Sequence, residues 1–312
     1  MRRTALRAVY EMALRDDRVC FIGSDLGAGV MDDFLEAMPE RIFREGISEQ
    51  HSIGMAGGLG LEGKIVYVNT LATFLTRRCF EQLLLDLALY KARVRLIGSG
   101  GGLVYAPLGP THVTTDDIGI LRMIPGMGIL APCDAQEMAQ LMPLTLDWDG
   151  PLYIRLAKGG DAVVSRTDVP YAIGRAIAYG VEGGDVLLIS TGITLQICLD
   201  AVTVMRESGL RAGILHMPTV KPLDSAAVLA AVPRYTAVIP VEEHCTSGGL
   251  GSAVCEVLAE AGLQRFPAFK RLGAPDRFVE HYGSQNEHLA LWGVSAENIA
   301  RTAQELVRNS AP

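Results

Sequence analysis

Short runs of β-branched and aromatic residues alternate with helix-like segments through the first half of the chain, and this alternation constrains the fold more than any other feature. The strand-like runs are Val19–Gly23, Lys64–Val68, Arg93–Ile97 and Leu152–Arg155. The helix-like segments are Thr4–Leu14, Glu49–Leu61, Arg78–Leu89, Thr115–Met123 and Ala135–Leu144. Such alternation predicts a mainly parallel sheet covered by helices, so the chain is expected to be an α/β protein.

A second series of strands and helices follows a break rich in glycine and proline, which runs from Gly159 to Gly184. Its clearest segments are the strands Asp185–Ile189, Ala212–His216 and Ala237–Pro240, the helices Leu195–Ser208 and Ala296–Val307, and a glycine-rich helix start at Ser247–Gly251. A chain of 312 residues is long enough to bury two cores. We therefore predict a first domain over 1–165, a linker over 166–184 and a second domain over 185–312.

The charge balance argues against a nucleic-acid partner. The formal net charge is −7, and no cluster of lysine and arginine is present to follow a phosphate backbone. The segment Met1–Ala5 leads into a polar helical pattern without the apolar core of a signal peptide, and no apolar run is long enough to span a bilayer. We expect a cytoplasmic protein that binds neither nucleic acid nor membrane.

The cysteines and histidines do not show the spacing of metal ligands. The six cysteines lack C-x-x-C pairing and are expected to be reduced core thiols: Cys20, Cys79, Cys133, Cys198, Cys245 and Cys255. No H-E-x-x-H or similar pattern includes His51, His216, His281 or His288. The sequence therefore predicts neither a zinc site nor, without a G-x-S-x-G motif, a nucleophile elbow.

The segment Gly46–His51 has the sequence Gly-Ile-Ser-Glu-Gln-His and leads into a helix of small residues, Ser52–Gly60. The missing side-chain bulk indicates that another segment packs very close to this helix. Ser48 is placed to cap the helix, and Glu49 is placed in its first turn, where the helix dipole favours a carboxylate by about 0.3–1 kcal/mol. Taken alone, this pair is explained by helix capping.

Further motifs change that interpretation. The segment Gly46–His51 resembles the Gly-Ile-Ala-Glu-Gln signature of the transketolase superfamily. Five further segments resemble motifs of that family in the same order: Asn69–Phe80, Gly109–His112, Pro151–Leu156, Lys221–Asp224, and Val241–His244 with Gly248–Val254. The resemblance implies two three-layer α/β domains with mainly parallel sheets, a thiamine-diphosphate pyrimidine-binding domain followed by a transketolase C-terminal domain.

The resemblance also implies roles for individual residues. Glu49 would hold a proton at the ring nitrogen of the aminopyrimidine of thiamine diphosphate, and burial would favour its protonated form. Phe74 would stack on that ring, and Arg78 would belong to the same cofactor site. His112 would hydrogen-bond the donor carbonyl or shuttle a proton, although a solvent-facing loop histidine is an equal alternative.

Part of the cofactor site is missing from this chain. The family binds the diphosphate through Mg²⁺ held by a Gly-Asp-Gly segment, and this sequence contains no Gly-Asp-Gly. We therefore expect the Mg²⁺ ligands to come from a separately encoded N-terminal subunit that carries this motif. The expected assembly is an α2β2 heterotetramer with the cofactor at the subunit interface.

Two departures from the family pattern bear on the substrate. Leu108 stands where transketolases acting on sugar phosphates have an aspartate that meets substrate hydroxyls, so a less hydroxylated or more apolar substrate is expected. The glycine loop Gly98–Gly102 lacks the histidine that contacts phosphate in those enzymes. Arg3 and Arg155 resemble family phosphate contacts, although either could be an ion-paired or surface arginine.

The sequence thus predicts the C-terminal subunit of a transketolase-like transferase. It would move a two-carbon ketol or an acyl unit from a ketose or 2-oxo donor to an aldehyde-type acceptor. The alternatives are a 2-oxo-acid dehydrogenase E1 β-like subunit, a deoxyxylulose-phosphate synthase-like subunit, and a non-catalytic regulatory or scaffold subunit. The Gly-Pro-Thr-His segment Gly109–His112 argues against the first of these.

Overall fold

A computed structural model describes residues 1–23, 29–157, 159–263 and 265–310. The strands of the first sheet are β1 Val19–Gly23, β2 Ile42–Arg44, β3 Ile65–Leu71, β4 Val94–Ser99, β5 Gly128–Leu130, β6 Leu152–Leu156 and β10 Thr219–Lys221. Their order is β10-β5-β6-β4-β3-β1-β2, and all pairs except β10–β5 are parallel. The strand-like runs predicted in the first half of the sequence are confirmed.

Helices cover both faces of this sheet. They are α1 Arg2–Ala13, α2 Asp32–Ala37, α3 Glu49–Leu61, α4 Phe80–Gln82, α5 Asp117–Arg122 and α6 Ala135–Leu141, with 3₁₀ turns at Pro39–Arg41, Ala106–Leu108 and Met142–Thr145. Helices α1 and α6 pack in one core, and α3 and α5 pack in the core on the other face. Because both faces are covered, the central strands β1 and β4 are buried at every position rather than at alternate ones.

The helix predicted over Arg78–Leu89 takes a different form. Turns of π type at Phe74–Arg78 and Leu83–Ala88 flank the short α4, so the helical segment begins before the predicted start. A π turn inserts an extra residue into the helical repeat, which periodicity in the sequence does not reveal. Within the first of these turns, the side chains of Phe74 and Arg78 lie against one another.

The strands of the second sheet are β7 Ile177–Tyr179, β8 Gly184–Ser190, β9 Ala212–His216, β11 Tyr235–Cys245, β12 Ala268–Phe269 and β13 Leu272–Ala274. Their order is β12-β11-β8-β9-β7, with β13 also paired to β11. The helices are α7 Thr194–Glu207, α8 Ser225–Ala231, α9 Leu250–Glu260, α10 Gln285–Leu291 and α11 Ala296–Ser310. Helices α7 and α11 pack in one core, and α8 and α9 pack in the other. The α/β class and the two mainly parallel sheets are confirmed.

The two sheets are interlocked near the predicted boundary. Strand β7 lies inside 166–184, the interval predicted as linker, and pairs with β9. Strand β10 returns from the second half of the chain and pairs antiparallel with β5 of the first sheet. The Lys221 ammonium donates hydrogen bonds to the carbonyl oxygens of Arg122 at 2.8 Å and Ile124 at 2.5 Å, which anchors this crossing. None of the described helices combines the length and the apolar character that a membrane span requires.

Candidate active site

Glu49 is the first residue of α3, and its carboxyl is buried, with 5% of the residue exposed. The helix bounds match the prediction, but the predicted cap is wrong because the Ser48 side chain makes no capping hydrogen bond. Instead, the Ser48 carbonyl oxygen accepts from both the N–H and the hydroxyl of Ser52. Glu49 is the acidic residue in the first turn of this helix.

Glu49 begins a line of contacts that joins four residues named in the sequence analysis. Arg78 Nη1 donates to Glu49 Oε2 at 2.6 Å. The guanidinium carbon of Arg78 lies 4.4 Å from the centre of the Phe74 ring, a cation–π contact. The ring centres of Phe74 and His112 are 5.3 Å apart in an edge-to-face arrangement. The fold thus brings together Glu49, Arg78, Phe74 and His112, which are separated by up to 63 positions in the sequence.

The surroundings of Glu49 are less apolar than the sequence suggested. Its side chain faces the Arg78 guanidinium, whose side chain is 42% exposed and therefore able to move. A cavity of about 10 Å³ lies beside Glu49 and has room for no more than one water. Asn69 lines this cavity and is buried, and its Oδ1 has no hydrogen-bond partner within the described part of the chain. The Arg78 guanidinium covers one side of this carboxyl.

Two of the small residues of α3, Gly57 and Gly60, serve close packing, as predicted, whereas a Cβ added to Gly58 would meet nothing within 4 Å. A Cβ added to Gly57 would lie 3.0 Å from the backbone oxygen of Asp86, and one added to Gly60 would lie 3.2 Å from the Ala92 side chain. Both neighbours belong to the helical segment that begins at Phe74 or to the turn that follows it. This packing fixes the distance between Glu49 and the segment that carries Phe74 and Arg78.

The loop after β4 carries the predicted substrate residues. Leu108 ends the 3₁₀ turn Ala106–Leu108 and is 54% exposed. Gly109 follows with φ 82°, a conformation that favours glycine. His112 is half-buried, and its Nδ1 lies 2.9 Å from the Thr111 hydroxyl. The loop therefore presents Leu108 to solvent and His112 to the Phe74 ring.

The structure buries Arg155 away from solvent. Only 6% of it is exposed, and its Nε donates to Asp117 Oδ2 at 2.8 Å. Its Nη2 donates to the backbone oxygens of Glu243 at 2.7 Å and Thr114 at 3.3 Å. The anionic neighbours raise the pKa of Arg155 despite its burial. In this structure the guanidinium joins the two domains and does not face an open cleft.

Arg3 is not brought near the other predicted site residues. It is exposed on α1, which covers the opposite face of the first sheet from α3. Two buried acids lie beneath the glycine loop: Glu243, which falls in the motif segment Val241–His244, and Asp117, which no sequence pattern singled out. Glu243 Oε1 accepts from the Leu103 N–H at 3.0 Å and from Gln285 at 2.5 Å, so it ties the loop to the second domain. Their pairing with one arginine from distant positions left no local pattern in the sequence.

The adjacent acid, Glu242, has a structural position. Its carboxyl accepts from the N–H groups of Leu250 at 2.7 Å and Gly251 at 2.9 Å, at the start of α9. These orphan donors at a helix start are satisfied by the acid. No role at the candidate site follows from this contact.

Two family models match the chain over most of its length. The model described as "Transketolase, pyrimidine binding domain" matches residues 1–160. The model described as "Transketolase, C-terminal domain" matches residues 176–299. The candidate site lies in the first of these.

Similar proteins include subunits of two-component transketolases. The chain is 34% identical over 309 residues to a subunit of the apulose-4-phosphate transketolase of Phocaeicola vulgatus, covering 98% of this chain and 97% of that protein. It is 33% identical over 308 residues to a subunit of the 6-deoxy-6-sulfo-D-fructose transketolase of Clostridium sp., covering 98% of this chain and 94% of that protein.

A solved structure described as "Split gene transketolase, inactive beta4 tetramer" has a TM-score of 0.89 and 29% identity to the chain. The match covers 99% of each chain. The chain therefore belongs to the transketolase family, in which it comprises a pyrimidine-binding domain followed by a C-terminal domain.

Proposed function

We propose that this chain is the C-terminal subunit of a split, thiamine-diphosphate-dependent transketolase. The complete enzyme transfers a two-carbon ketol unit, or an acyl unit, from a ketose or 2-oxo donor to an aldehyde-type acceptor. The observation that carries the proposal is the buried Glu49 carboxyl beside Phe74 and His112, in a chain that matches named transketolase subunits over nearly their full length.

The residues at Glu49 fit an aminopyrimidine. A buried carboxyl can form a hydrogen bond with a nitrogen of the ring, and a nearby aromatic face allows the ring to stack. Glu49 and Phe74 offer these two groups. When bound, thiamine diphosphate supplies the carbanion that accepts the donor fragment. Glu49 then holds a proton at the ring nitrogen, Phe74 orients the ring, and the burial of Glu49 excludes water from this proton.

Arg78 belongs to the same site because its guanidinium contacts both groups that we assign to the ring, the Glu49 carboxyl and the Phe74 face. In the chain alone it pairs with Glu49 and covers Phe74. Cofactor binding therefore requires the guanidinium to leave Phe74. Its partly exposed side chain allows this movement without unfolding the π turn at Phe74–Arg78.

The diphosphate and Mg²⁺ belong to the partner in this proposal. The sequence lacks Gly-Asp-Gly, and the one possible metal-ligand cluster found among the described residues contains Cys133 and His216 rather than the oxygen ligands that Mg²⁺ prefers. An N-terminal subunit with Gly-Asp-Gly completes the site, and we propose an α2β2 assembly. The word "inactive" in the description of the similar beta4 tetramer supports dependence on a partner. A cytoplasmic location stays a prediction.

We assign His112 to the donor carbonyl and Leu108 to acceptor or donor selection. The exposed Leu108 offers no hydrogen bond, which favours a substrate with fewer hydroxyls at that position. The names of both similar subunits specify sugars with an anionic group, which supports an anionic donor for this chain too. Arg3 stays a predicted phosphate contact. We now assign Arg155 to domain positioning, because its donors are used inside the protein.

The test is reconstitution with a partner that carries Gly-Asp-Gly. The pair is expected to bind thiamine diphosphate with Mg²⁺ in calorimetry and to transfer ketol units between ketose phosphates and aldehydes. In the pair, Glu49→Gln should lower kcat by about 10²–10⁴-fold. Glu62→Gln, at the exposed far end of α3, is the matched control and should leave kcat unchanged.

Other outcomes separate the alternatives. Decarboxylation of a 2-oxo acid without ketol transfer would support the E1 β-like subunit, and condensation of the decarboxylated fragment with an aldehyde phosphate would support the synthase-like subunit. Unchanged activity of Glu49→Gln would favour a scaffold subunit. Tight thiamine-diphosphate binding by the chain alone would refute the split site.

A further inference from the structure

A buried cluster of three metal-binding residue types lies between the domains, away from Glu49. Cys133 and Glu137 come from the start of α6, and His216 ends β9 of the second sheet. Each has an exposure of 3% or less. One potential ligand atom from each residue lies within 4.8 Å of the others. Glu137 is 4 positions from Cys133 and 79 from His216, so the cluster exists only after the domains have docked.

The hydrogen bonds in the cluster hold the donor atoms in place. His216 Nε2 lies 3.1 Å from Glu137 Oε2, which also accepts from the Cys133 N–H at 2.6 Å. On the other side of the ring, His216 Nδ1 lies 2.9 Å from the Ser190 hydroxyl. The Ser190 hydroxyl therefore orients the imidazole through Nδ1, while Nε2 faces the Glu137 carboxylate.

One atom of the cluster is left without a partner. Glu137 Oε1 is buried and has no hydrogen bond to any described residue. A buried carboxylate oxygen without a partner is unfavourable, because nothing compensates for its lost contact with water. The hydroxyl of Tyr179, in β7, is also buried without a partner in the described part of the chain. Tyr179 packs against the hydrophobic core that includes Cys133.

Two buried carboxylates lie close together here, and the side chain that pairs with Glu137 is an imidazole rather than a lysine or arginine. Among the described residues, the hydrogen bonds to the Glu137 carboxylate come from a backbone N–H and an imidazole, and from no lysine or arginine. Asp134 adds a second buried carboxylate, whose oxygens accept from the N–H groups of Glu137, Val164 and Ser165 and from the Ser165 hydroxyl. A divalent cation would balance this charge.

We propose that Cys133, Glu137 and His216 bind one zinc-class divalent cation that joins α6 to β9. Thiolate, carboxylate and imidazole are the ligands that Zn²⁺ accepts, at bond lengths of about 2.0–2.3 Å. Tetrahedral bonds of that length put ligand atoms about 3.3–3.8 Å apart, so a contraction of about 1 Å from the 4.8 Å limit brings the three ligand atoms around one ion, and a water would take the fourth position. Binding displaces the Cys133 proton to solvent, and Ser190 orients the histidine ligand from behind.

This site is structural and independent of the proposed transferase chemistry. None of its members contacts Glu49, Phe74 or His112 through the hydrogen bonds and ring contacts of the described residues. Its expected effect is to fasten the domains at a point where β7 and β9 meet the first domain. The experiments can therefore use the full chain without a partner or cofactor.

The test is the metal content of the full chain, purified without a polyhistidine tag and dialysed against Zn²⁺. Elemental analysis is expected to find about one zinc per chain, and replacement by Co²⁺ should produce a sulfur-to-cobalt charge-transfer band. Cys133→Ser should abolish the band, whereas Cys198→Ser, a buried cysteine in α7 outside the cluster, should retain it. Ser190→Ala should keep the ligands and weaken zinc affinity about 10–100-fold.

A folded wild-type chain with no zinc after dialysis and no cobalt band would overturn the proposal. That result would leave a hydrogen-bonded cluster without metal. Because the decisive measurement uses the wild-type chain, it does not depend on whether Cys133→Ser folds. Retention of the band in folded Cys133→Ser would likewise overturn the assignment of this ligand.

Discussion

Arg78 Nη1 lies 2.6 Å from Glu49 Oε2, and the same guanidinium covers the ring of Phe74 at 4.4 Å. The Arg78 side chain thus contacts both the Glu49 carboxyl and the Phe74 face, which are the groups that we assign to the cofactor ring. In the chain alone, this contact closes the cofactor site that we propose, and it is weak because it is partly exposed.

The first prediction concerns this contact. Arg78→Met should tighten thiamine-diphosphate binding to the reconstituted pair by up to about fivefold, because a partly exposed ion pair is worth about 0–1 kcal/mol. Calorimetry measures the change. Arg77→Met is the matched control, because Arg77 lies in the same π turn as Arg78 but pairs with Asp116, at 2.7 Å. Weakening by tenfold or more would show that Arg78 itself binds the cofactor.

Leu108 is predicted to select against hydroxylated substrates. Leu108→Asp should raise kcat/KM for a hydroxyl-rich ketose phosphate by about 10–100-fold, because a hydrogen bond to a charged group contributes about 1.5–3 kcal/mol. Stability should change by less than about 0.5 kcal/mol at this exposed position. Met123→Asp, also exposed, controls for the added charge. An equal change in both variants would remove Leu108 from the substrate site.

Arg155 is predicted to hold the domains together. Arg155→Met should lower the free energy of unfolding by about 3–5 kcal/mol, because it leaves the carboxylates of Asp117 and Glu243 buried without their cation. Urea unfolding measures this loss, and Arg155→Lys should recover part of it. A raised KM for phosphorylated substrates with unchanged stability would instead support the phosphate contact implied by the family resemblance.

Cys79 is predicted to be unreactive at alkaline pH. Burial, with a further contribution from Glu49, raises the pKa of this thiol from 9.0 to about 12. At pH 9 its thiolate fraction is about 500-fold below that of an ordinary thiol. Iodoacetamide should therefore label the half-buried Cys255 but leave Cys79 unmodified, as mass spectrometry can determine. Equal labelling in the folded chain would contradict the burial of Cys79.

The same shift predicts how stability depends on pH. Because the folded pKa is the higher one, the contribution of Cys79 is complete below about pH 9 and is lost as the pH rises towards 12. The stability advantage of the wild type over Cys79→Ala should fall by about 1.4 kcal/mol between pH 8 and pH 10. Urea midpoints at the two pH values test this. A constant difference would count against the raised pKa.

Local sequence patterns were sufficient to identify the bounds of several elements, including the first residue of α3. The bounds of β1, α3 and β9 match the predictions because buried apolar runs and small-residue helices have short-range signatures. The cap at Ser48 was wrong because backbone geometry, and not residue type, decides whether a hydroxyl reaches the helix start. The π turn at Phe74–Arg78 was missed because one inserted residue hardly disturbs periodicity.

The family and the candidate carboxyl, Glu49, could be identified from short sequence motifs, because the residues of each motif are contiguous in the chain. Which charged side chains contact one another could not be identified from the sequence. The pairing of Arg155 with Asp117 and Glu243, and the meeting of Cys133 with His216, join residues from both domains and arise only when β7, β9 and β11 pack against the first sheet. Burial then decides their chemistry, because a charge removed from water must find a partner in three dimensions.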